Sequence, residues 1–126
     1  MFQHQVRVCL IDDDPSFCEI YSVALREAGF VLSIANDGEG GLDLVRREMP
    51  DIILLDLNMP GKNGFEVLRE LSADPSASKI PVIVLSNNDR DDAIREVGDF
   101  RADFFLVKAL TSPKEVADII REVMLS

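Results

Sequence analysis

The sequence predicts an α/β domain: a five-stranded, doubly wound parallel sheet built from five successive β-α units. Two observations support this prediction. Short, nearly continuous apolar runs recur along the chain, as in strands that are covered on both faces. Between these runs the apolar residues take the spacing of helices, and such alternation implies right-handed crossovers with helices on both sides of the sheet. The length of 126 residues fits a single domain, predicted to span residues 1–126.

The strands are predicted from runs of aliphatic, β-branched or aromatic residues with few polar interruptions. Four of these runs are apolar throughout. The second along the chain is weaker because Ser33 interrupts it. The five predicted strands lie at about residues 8–11, 31–35, 52–55, 82–85 and 104–107.

The first helix is predicted by signals at both of its ends. Asp14 is a suitable N-cap, Pro15 fits the first turn, and Gly29 marks the end. Its expected buried face is formed by apolar residues at helical spacing, namely Phe17, Ile20, Tyr21, Ala24, Leu25 and Ala28.

The other helices are predicted from caps and from apolar spacing. The last helix begins at a capping box formed by Ser112 and Glu115. Asn63 with Glu66, and Asn88 with the acidic residues after it, mark the starts of two more helices. These two shorter helices are expected at about residues 64–73 and 89–98. A further short helix is expected before them, at about residues 38–48.

The charge balance excludes several classes of function. Thirteen Lys and Arg residues stand against 23 Asp and Glu, for a net charge of −10. General nucleic-acid binding needs clustered positive charge, and so does docking on an anionic membrane. No apolar run approaches the roughly 20 residues of a transmembrane helix, and the first residues lack the apolar region of a signal peptide. The chain is therefore expected to be cytoplasmic, without membrane insertion.

Cysteine and histidine content also narrows the chemistry. Two cysteines are too few for a disulfide scaffold, so Cys9 and Cys18 are expected to be reduced and buried. The single histidine, His4, precedes the first strand. This argues against hydrolases that need a histidine fixed beside a nucleophile, and against zinc sites of the Cys/His kind.

Polar residues end four of the predicted strands. Asp12 and Asp13 follow the first strand, Asp56 the third, Ser86 the fourth and Lys108 the fifth. We expect these side chains to meet, because the carboxyl ends of parallel strands form the ligand-binding edge of an open α/β sheet. Carboxylates in close proximity favour a divalent cation such as Mg²⁺, which prefers oxygen ligands. A carboxylate beside a cation, a lysine and a hydroxyl can accept a phosphoryl group.

Four segments, at residues 8–15, 51–64, 81–86 and 102–108, resemble the response-regulator receiver domain of two-component signalling. The resemblance covers essentially the whole chain, in order and at family spacing, and the segment 51–64 is its most specific part. It implies the flavodoxin-like (βα)5 fold with strand order 2-1-3-4-5. It also implies a signalling protein that is not an enzyme beyond its own phosphorylation and dephosphorylation.

The resemblance further implies roles for residues at the predicted edge of the sheet. Asp56 would be the phosphoacceptor, and the donor would be a phosphohistidine of a histidine kinase or a histidine phosphotransfer protein. Asp13, Asp56 and the backbone carbonyl of Asn58 would bind Mg²⁺, and Asp12 would assist through water.

The remaining implied roles concern the switch. Ser86 and Lys108 would contact the phosphoryl group, and Ser86 with Phe105 would transmit the change to a surface that docks a downstream target protein. Three asparagines would tune the lifetime of the phosphate: Asn58, Asn87 and Asn88.

Two positions depart from the family pattern. Ala109 follows Lys108 where proline is usual, and a cis bond to a residue other than proline costs about 3 kcal/mol, so the isomer of this bond is left open. Asn87 stands where a small residue is usual, and its amide can crowd or hydrogen-bond the phosphoryl group.

Three alternatives are weighed against this interpretation. A phosphatase with an Asp nucleophile usually has a second acid where this chain has Asn58, and it needs a cap for which the chain has no room. A flavin binder of the same topology is disfavoured because the acidic residues 12–14 would repel its phosphate. A receiver-like module that has lost phosphorylation stays open, because of Asn87 and Ala109.

Assembly is the least determined property. The domain is expected to be a stand-alone receiver or one excised from a longer regulator, and to be a monomer or a weak dimer. Its partners are expected to be proteins, with no direct contact to nucleic acid. Arg95, Phe100 and Arg101 are candidates for a docking surface.

Overall fold

Strands and helices alternate through residues 5–87, as the sequence predicts, and a strand and a helix follow in residues 102–125. The computed structural model describes residues 5–87 and 102–125, so the helix predicted at 89–98 and the candidate docking residues Arg95, Phe100 and Arg101 lie outside the described residues. No helix in the described ranges is long and apolar enough to cross a membrane. The elements are β1 (Arg7–Ile11), α1 (Pro15–Glu27), β2 (Val31–Ala35), α2 (Gly38–Glu48), β3 (Ile52–Asp56), α3 (Gly64–Ala73), β4 (Val82–Ser86), β5 (Phe104–Val107), a 3-10 turn (Lys108–Leu110) and α4 (Pro113–Leu125).

The five strands form one parallel sheet in the order β2-β1-β3-β4-β5, which confirms the predicted fold class and strand order. The register aligns Ile11 with Leu55 across β1 and β3, and Asp56 with Leu85 across β3 and β4. The carboxyl ends of β1, β3, β4 and β5 therefore lie side by side along one edge of the sheet.

Two apolar cores cover the two faces of the sheet, because successive residues of a strand point to opposite sides. In β3, Ile53 and Leu55 pack in the cluster that α2 and α3 cover. Ile52 and Leu54 pack in the cluster that α1 and α4 cover. Every residue of β3 and β4 is buried, which explains why these strands have no alternation of apolar and polar residues.

Both cysteines are free and buried, in agreement with the prediction. Burial raises the pKa of the Cys9 thiol to about 12, with a further contribution from Glu48. Burial and the nearby carboxylate of Asp12 raise the pKa of the Cys18 thiol to about 11. Both thiols are therefore protonated at neutral pH and are poor nucleophiles.

The caps predicted at Asp14, Asn63 and Ser112 are present, and the one predicted at Asn88 lies outside the described residues. The Asp14 side chain accepts hydrogen bonds from the backbone N–H groups of Ser16 and Phe17 at the start of α1. Asn63 and Glu66 form a reciprocal capping box at the start of α3. A second box joins Ser112 and Glu115 before α4, with both hydrogen bonds at 3.2 Å.

The predicted buried face of α1 is wrong at one position. Ile20 is 59% exposed, and the buried residues of this helix are Cys18, Tyr21, Ser22 and Leu25. The buried face includes two small residues, Cys18 and Ser22, which a search for strongly apolar residues at helical spacing does not select. The face is therefore rotated away from Ile20.

Gly64, the first residue of α3, allows the helix to approach the end of β3 closely. Its N–H donates to the carbonyl of Leu57 at 3.3 Å. A Cβ atom at this position would lie 2.3 Å from the carbonyl oxygen of Asp56 and 2.5 Å from the Cα of Leu57. Both contacts are to backbone, which cannot turn aside as a side chain can, so glycine is required here.

We expect Gly64→Ala to lower the free energy of unfolding by about 1–3 kcal/mol, because the added methyl group forces α3 away from β3. Urea denaturation measures this change. Gly40→Ala, within α2, is the matched control, because its Cβ would meet the movable side chain of Asp37 at 3.1 Å. The prediction fails if the two variants lose the same stability or if Gly64→Ala loses none.

Candidate functional site

The candidate site lies where four neighbouring strands end. Asp12 directly follows β1, Asp56 and Ser86 are the last residues of β3 and β4, and Lys108 directly follows β5. The strands β1, β3 and β4 change from apolar to polar within one residue of the same level of the sheet, since Ile11 is aligned with Leu55 and Asp56 with Leu85. The site is therefore a direct product of strand length and register.

An ammonium group lies between two buried carboxylates at this edge. The Nζ atom of Lys108 is 2.8 Å from Oδ2 of Asp12 and 3.5 Å from Oδ2 of Asp56. The side chain of Lys108 is 13% exposed, and Asp12 and Asp56 are 0% and 1% exposed. The structure thus brings together three of the residues that the sequence predicts to meet.

Backbone hydrogen bonds fix the orientation of both carboxylates. Oδ1 of Asp12 accepts from the N–H of Asp14, and Oδ1 of Asp56 accepts from the N–H of Asn58, each at 2.9 Å. Both bonds reach two residues ahead, as short acidic side chains commonly do in turns. In each carboxylate Oδ1 is thereby held by the chain, and Oδ2 faces Lys108.

A third carboxylate completes an acidic cluster. Asp12, Asp13 and Asp56 each offer one oxygen, and these oxygens lie within 4.8 Å of one another. Oδ2 of Asp12 is buried and accepts no hydrogen bond of acceptable geometry from the described residues, although it pairs in charge with Lys108. Asp13 is only half-buried, which leaves room for water. These residues fit a hard divalent cation such as Mg²⁺, which prefers oxygen ligands and retains several waters.

The electrostatics of the two central groups follow from burial and charge. Burial raises the pKa of the Asp56 carboxyl, and the charge of Asp12 raises it further, against the opposing effects of the Asn58 N–H and of Lys108. Burial alone would lower the pKa of Lys108, but its contacts with Asp12 and Asp56 outweigh burial and raise it. Lys108 is therefore a permanent cation at neutral pH.

The structure describes three more of the predicted site residues, on or directly after β4 and β5. Ser86 is 2% exposed at the end of β4. The N–H of Asn87 donates to Oδ1 of Asn58 at 2.9 Å, which ties the end of β4 to the loop after β3. Phe105 is partly buried against the apolar cluster under α2 and α3. Asn88 lies outside the described residues.

The loop after β5 has an ordinary backbone. None of the peptide bonds that the structure describes is cis, so the bond between Lys108 and Ala109 is trans. Lys108 begins the short 3-10 turn, and the Ala109 side chain is exposed. The question that the sequence leaves open at this bond is thereby answered.

The sequence analysis missed Asn36, which holds the backbone of Asp12 in place. The carbonyl of Asp12 accepts hydrogen bonds from Nδ2 of Asn36 at 3.3 Å and from Sγ of Cys18 at 3.4 Å. Asn36 directly follows β2, so the rule that polar residues at strand ends meet would have found it. It was overlooked because β2 is the weakest apolar run.

An aromatic contact with Lys108 was also missed. Nζ of Lys108 lies 4.3 Å from the ring centroid of Phe17, which the sequence analysis assigned only to the apolar face of α1. Helical spacing predicts on which side of a helix a residue lies. It cannot predict that a lysine from another element places its ammonium over the ring.

The comparison with known families decides the identity. The sequence model of the response regulator receiver domain matches residues 8–121. The chain belongs to this family. Receiver domains are signalling modules of two-component systems, and this membership favours a signalling role over the phosphatase and flavin-binding alternatives.

Individual relatives agree with the family. The chain is 37% identical over 116 residues to the DNA-binding response regulator MtrA of Mycolicibacterium smegmatis, covering 91% of this chain and 49% of MtrA. It is 36% identical over 85 residues to protein PilH of Pseudomonas aeruginosa, covering 68% of this chain and 70% of PilH. The chain thus spans about half the length of the MtrA relatives that it matches.

Solved receiver structures share the fold. The chemotaxis protein CheY4 of Vibrio cholerae superimposes with a TM-score of 0.87 at 25% identity, over 95% of this chain and 99% of CheY4. The signal receiver domain of a histidine kinase from Syntrophus aciditrophicus superimposes with a TM-score of 0.82, also at 25% identity, over 94% of this chain and 89% of that one.

We expect Asp56→Asn to raise the free energy of unfolding at pH 7 in buffer that contains a chelator. A carboxyl whose pKa is raised in the folded state contributes stability at low pH and loses it as the pH rises through the folded pKa. The gain from the substitution should therefore shrink as the pH falls and Asp56 becomes protonated, while Lys108 keeps its pairing with Asp12.

Urea denaturation at a series of pH values measures this effect. Asp43→Asn, at an exposed position of α2, is the matched control and should change little at any pH. A gain that is the same at low and neutral pH, or a loss of stability at pH 7, would contradict the electrostatic account.

Proposed function

We propose that this receiver domain is a phosphorylation switch in which Asp56 accepts a phosphoryl group from a phosphohistidine. The donor is a histidine kinase or a histidine phosphotransfer protein. The observation that supports this best is the buried Asp56 carboxylate, with Oδ2 directed toward Lys108 and two further carboxylates beside it. The proposed domain comprises residues 1–126, and its chemistry is limited to its own phosphorylation and dephosphorylation.

The transfer step is a substitution at phosphorus. A carboxylate oxygen of Asp56 forms a bond to phosphorus as the bond between phosphorus and the donor imidazole nitrogen breaks. The electron pair of the broken bond stays on the imidazole. The hydrogen bond from the Asn58 N–H holds the Asp56 carboxylate in one orientation, which limits the freedom lost on reaching the transition state.

A divalent cation is part of the proposed chemistry. We assign Asp13, Asp56 and the backbone carbonyl of Asn58 as Mg²⁺ ligands, with Asp12 acting through water. Mg²⁺, when bound, offsets the charge of the carboxylates and of the transferring phosphoryl group. The close spacing of the three acidic side chains and the buried Oδ2 of Asp12 support this assignment.

Lys108 and Ser86 are proposed to hold the phosphoryl oxygens. Phosphorylation changes the charge at Asp56 from −1 to roughly −2 and adds strong hydrogen-bond acceptors. Lys108, which lies 3.5 Å from Asp56, is near enough to pair with the new charge without a change of backbone. Ser86 ends the neighbouring strand β4, one residue beyond Leu85, the register partner of Asp56.

The output of the switch is proposed to be a change of surface. Ser86 moves toward the phosphoryl group, and Phe105 turns into the space that is freed. Such couplings typically amount to about 1–3 kcal/mol, which shifts a population of states. The altered surface docks a downstream target protein, and Asn58, Asn87 and Asn88 tune the lifetime of the phosphate.

The setting of the switch is proposed as a monomer or weak dimer, either alone or as the receiver of a longer regulator. MtrA is named as DNA-binding, and this chain matches about half of it. We do not assign DNA binding to the domain itself, because its net charge of −10 would repel phosphates.

We expect the protein to gain one phosphoryl group on incubation with acetyl phosphate and Mg²⁺, as measured by intact-mass spectrometry. Asp56→Asn should gain none, because it lacks the accepting carboxylate. Asp43→Asn is the matched control and should behave as the unchanged protein.

Addition of a chelator should prevent the gain of mass. A phosphoryl group on Asp56→Asn would overturn the assignment of the acceptor. No gain in the folded, unchanged protein would instead favour the alternative in which this receiver signals without phosphate.

We expect Ser86→Ala to accept phosphate but to transmit it poorly. The amide resonance of Phe105 should shift on phosphorylation in the unchanged protein and shift less in this variant, because the hydroxyl that follows the phosphoryl group is missing. Ser86→Thr keeps a hydroxyl and is the matched control. Equal shifts in all three proteins would contradict the proposed coupling between Ser86 and Phe105.

A further inference from the structure

Lys108 has an aromatic neighbour as well as its acidic ones. Its ammonium group lies 2.8 Å from Asp12 and 3.5 Å from Asp56, and 4.3 Å from the centroid of the Phe17 ring in α1. The face of an aromatic ring attracts a cation, and the attraction strengthens when water is excluded. The ammonium therefore contacts two carboxylates and one ring.

The Phe17 ring is itself held in position. It stacks on the Tyr21 ring with centroids 4.1 Å apart and an angle of 18° between the planes. The Phe17 N–H donates to the side chain of Asp14, which begins the helix two residues after Asp12. The hydrogen bond at the helix cap holds the backbone of Phe17 beside the acidic cluster, and the stacking on Tyr21 holds its ring.

Tyr21 also contacts the loop that contains Lys108. Its hydroxyl donates to the carbonyl of Thr111 at 3.3 Å. The Thr111 hydroxyl donates to the carbonyl of Val107 at 2.8 Å, and its N–H donates to that of Lys108 at 3.4 Å. One face of α1 therefore contacts both the head group of Lys108 and the backbone turn that starts at this residue.

We propose that Phe17 is a positioning residue for Lys108, and that Tyr21 holds Phe17 and the turn after β5 in register for it. The lysine side chain is a flexible stem with a compact charge, which adapts to several geometries unless its surroundings restrict it. The backbone after Lys108 is a 3-10 turn with a trans peptide, and a backbone turn does not by itself restrict the head group of a long side chain. The stacked rings of Phe17 and Tyr21 supply this restriction, because they confine the ammonium of Lys108 to the side that faces Asp12 and Asp56.

The alternative is that Phe17 only fills space, since it also packs against the apolar cluster under α1 and α4. The two roles differ in what they require of the side chain. Packing requires apolar volume, whereas positioning requires the face of a ring. Variants that keep one property and remove the other separate the two roles.

The first measurement uses NMR, on the unchanged protein and on two variants of Phe17. Protons of the Lys108 side chain that lie over the face of a ring are displaced upfield from the ordinary range of lysine. We expect this displacement in the unchanged protein and in Phe17→Tyr, and we expect it to disappear in Phe17→Leu. Lys108 protons at ordinary positions in the unchanged protein would overturn the proposal without any substitution.

The second measurement rests on the proposed function and uses the rate of phosphorylation by acetyl phosphate at saturating Mg²⁺. Loss of the ring should slow the reaction about fivefold in Phe17→Leu, the factor expected for a partly buried contact of this kind. Phe17→Tyr should retain the rate of the unchanged protein. Equal losses in Phe17→Leu and Phe17→Tyr would overturn the proposal.

Phe30→Leu is the matched control. Phe30 belongs to the same apolar cluster, lies beyond the other end of α1, and has Arg121 over its ring at 5.5 Å. The same chemical change there should leave the phosphorylation rate unaltered. A loss in Phe30→Leu as large as in Phe17→Leu would assign the effect to general packing and overturn the proposal.

The two measurements separate failure of this inference from failure of the proposed function. A protein that takes no phosphate from acetyl phosphate but shows the displaced Lys108 protons counts against the phosphorylation switch and supports the positioning role. A protein that takes phosphate but shows no displacement supports the switch and refutes the role of Phe17.

Discussion

The geometry of the site depends most on the pairing of Lys108 with Asp12 and Asp56 at a buried edge of the sheet. Buried charges are costly unless they are paired in good geometry and their remaining atoms are hydrogen-bonded. Here backbone N–H groups hold the two Oδ1 atoms, and the ammonium of Lys108 pairs in charge with both Oδ2 atoms. The pairing tolerates little displacement of the strands that hold these three residues.

The sheet register meets this constraint, and the same register builds the core. Asp56 is aligned with Leu85, and Ser86 with Val107. A slip of one residue would turn every side chain of a strand to the opposite face, so Leu55 and Asp56 would exchange sides. The apolar packing under the helices therefore fixes the acidic cluster as well, and Gly64 adds to this by letting α3 press against the end of β3.

Much of this arrangement can be predicted from the sequence, because the strands end sharply. Apolar runs give way to Asp12, Asp56, Ser86 and Lys108 without a transition, and the topology of parallel sheets then brings these residues to one edge. The helix caps are equally local, since an N-cap and its partner lie within three residues of each other. The fold and the central site residues rest on signals of this kind.

The parts that the sequence did not reveal depend on the direction of side chains and not on their spacing. Ile20 shares a helical period with Tyr21 and Leu25, but α1 turns Cys18 and Ser22 toward the sheet instead. The contact between Phe17 and Lys108 joins elements about ninety residues apart, and no local pattern encodes it.

The charges of the site explain why a cation and a phosphoryl group belong together in the proposed switch. Three carboxylates and the ammonium of Lys108 sum to −2, and a divalent cation would bring the sum to zero. An anionic donor then approaches a neutral site, and the phosphorylated state differs from it by about one negative charge. That difference falls on Asp56 at the end of β3, whose neighbours in the sheet are β1 and β4. Ser86 ends β4, and Lys108 reaches the Asp56 carboxylate from the end of the next strand, β5. The order of the sheet thereby determines where a change of charge first acts on the structure.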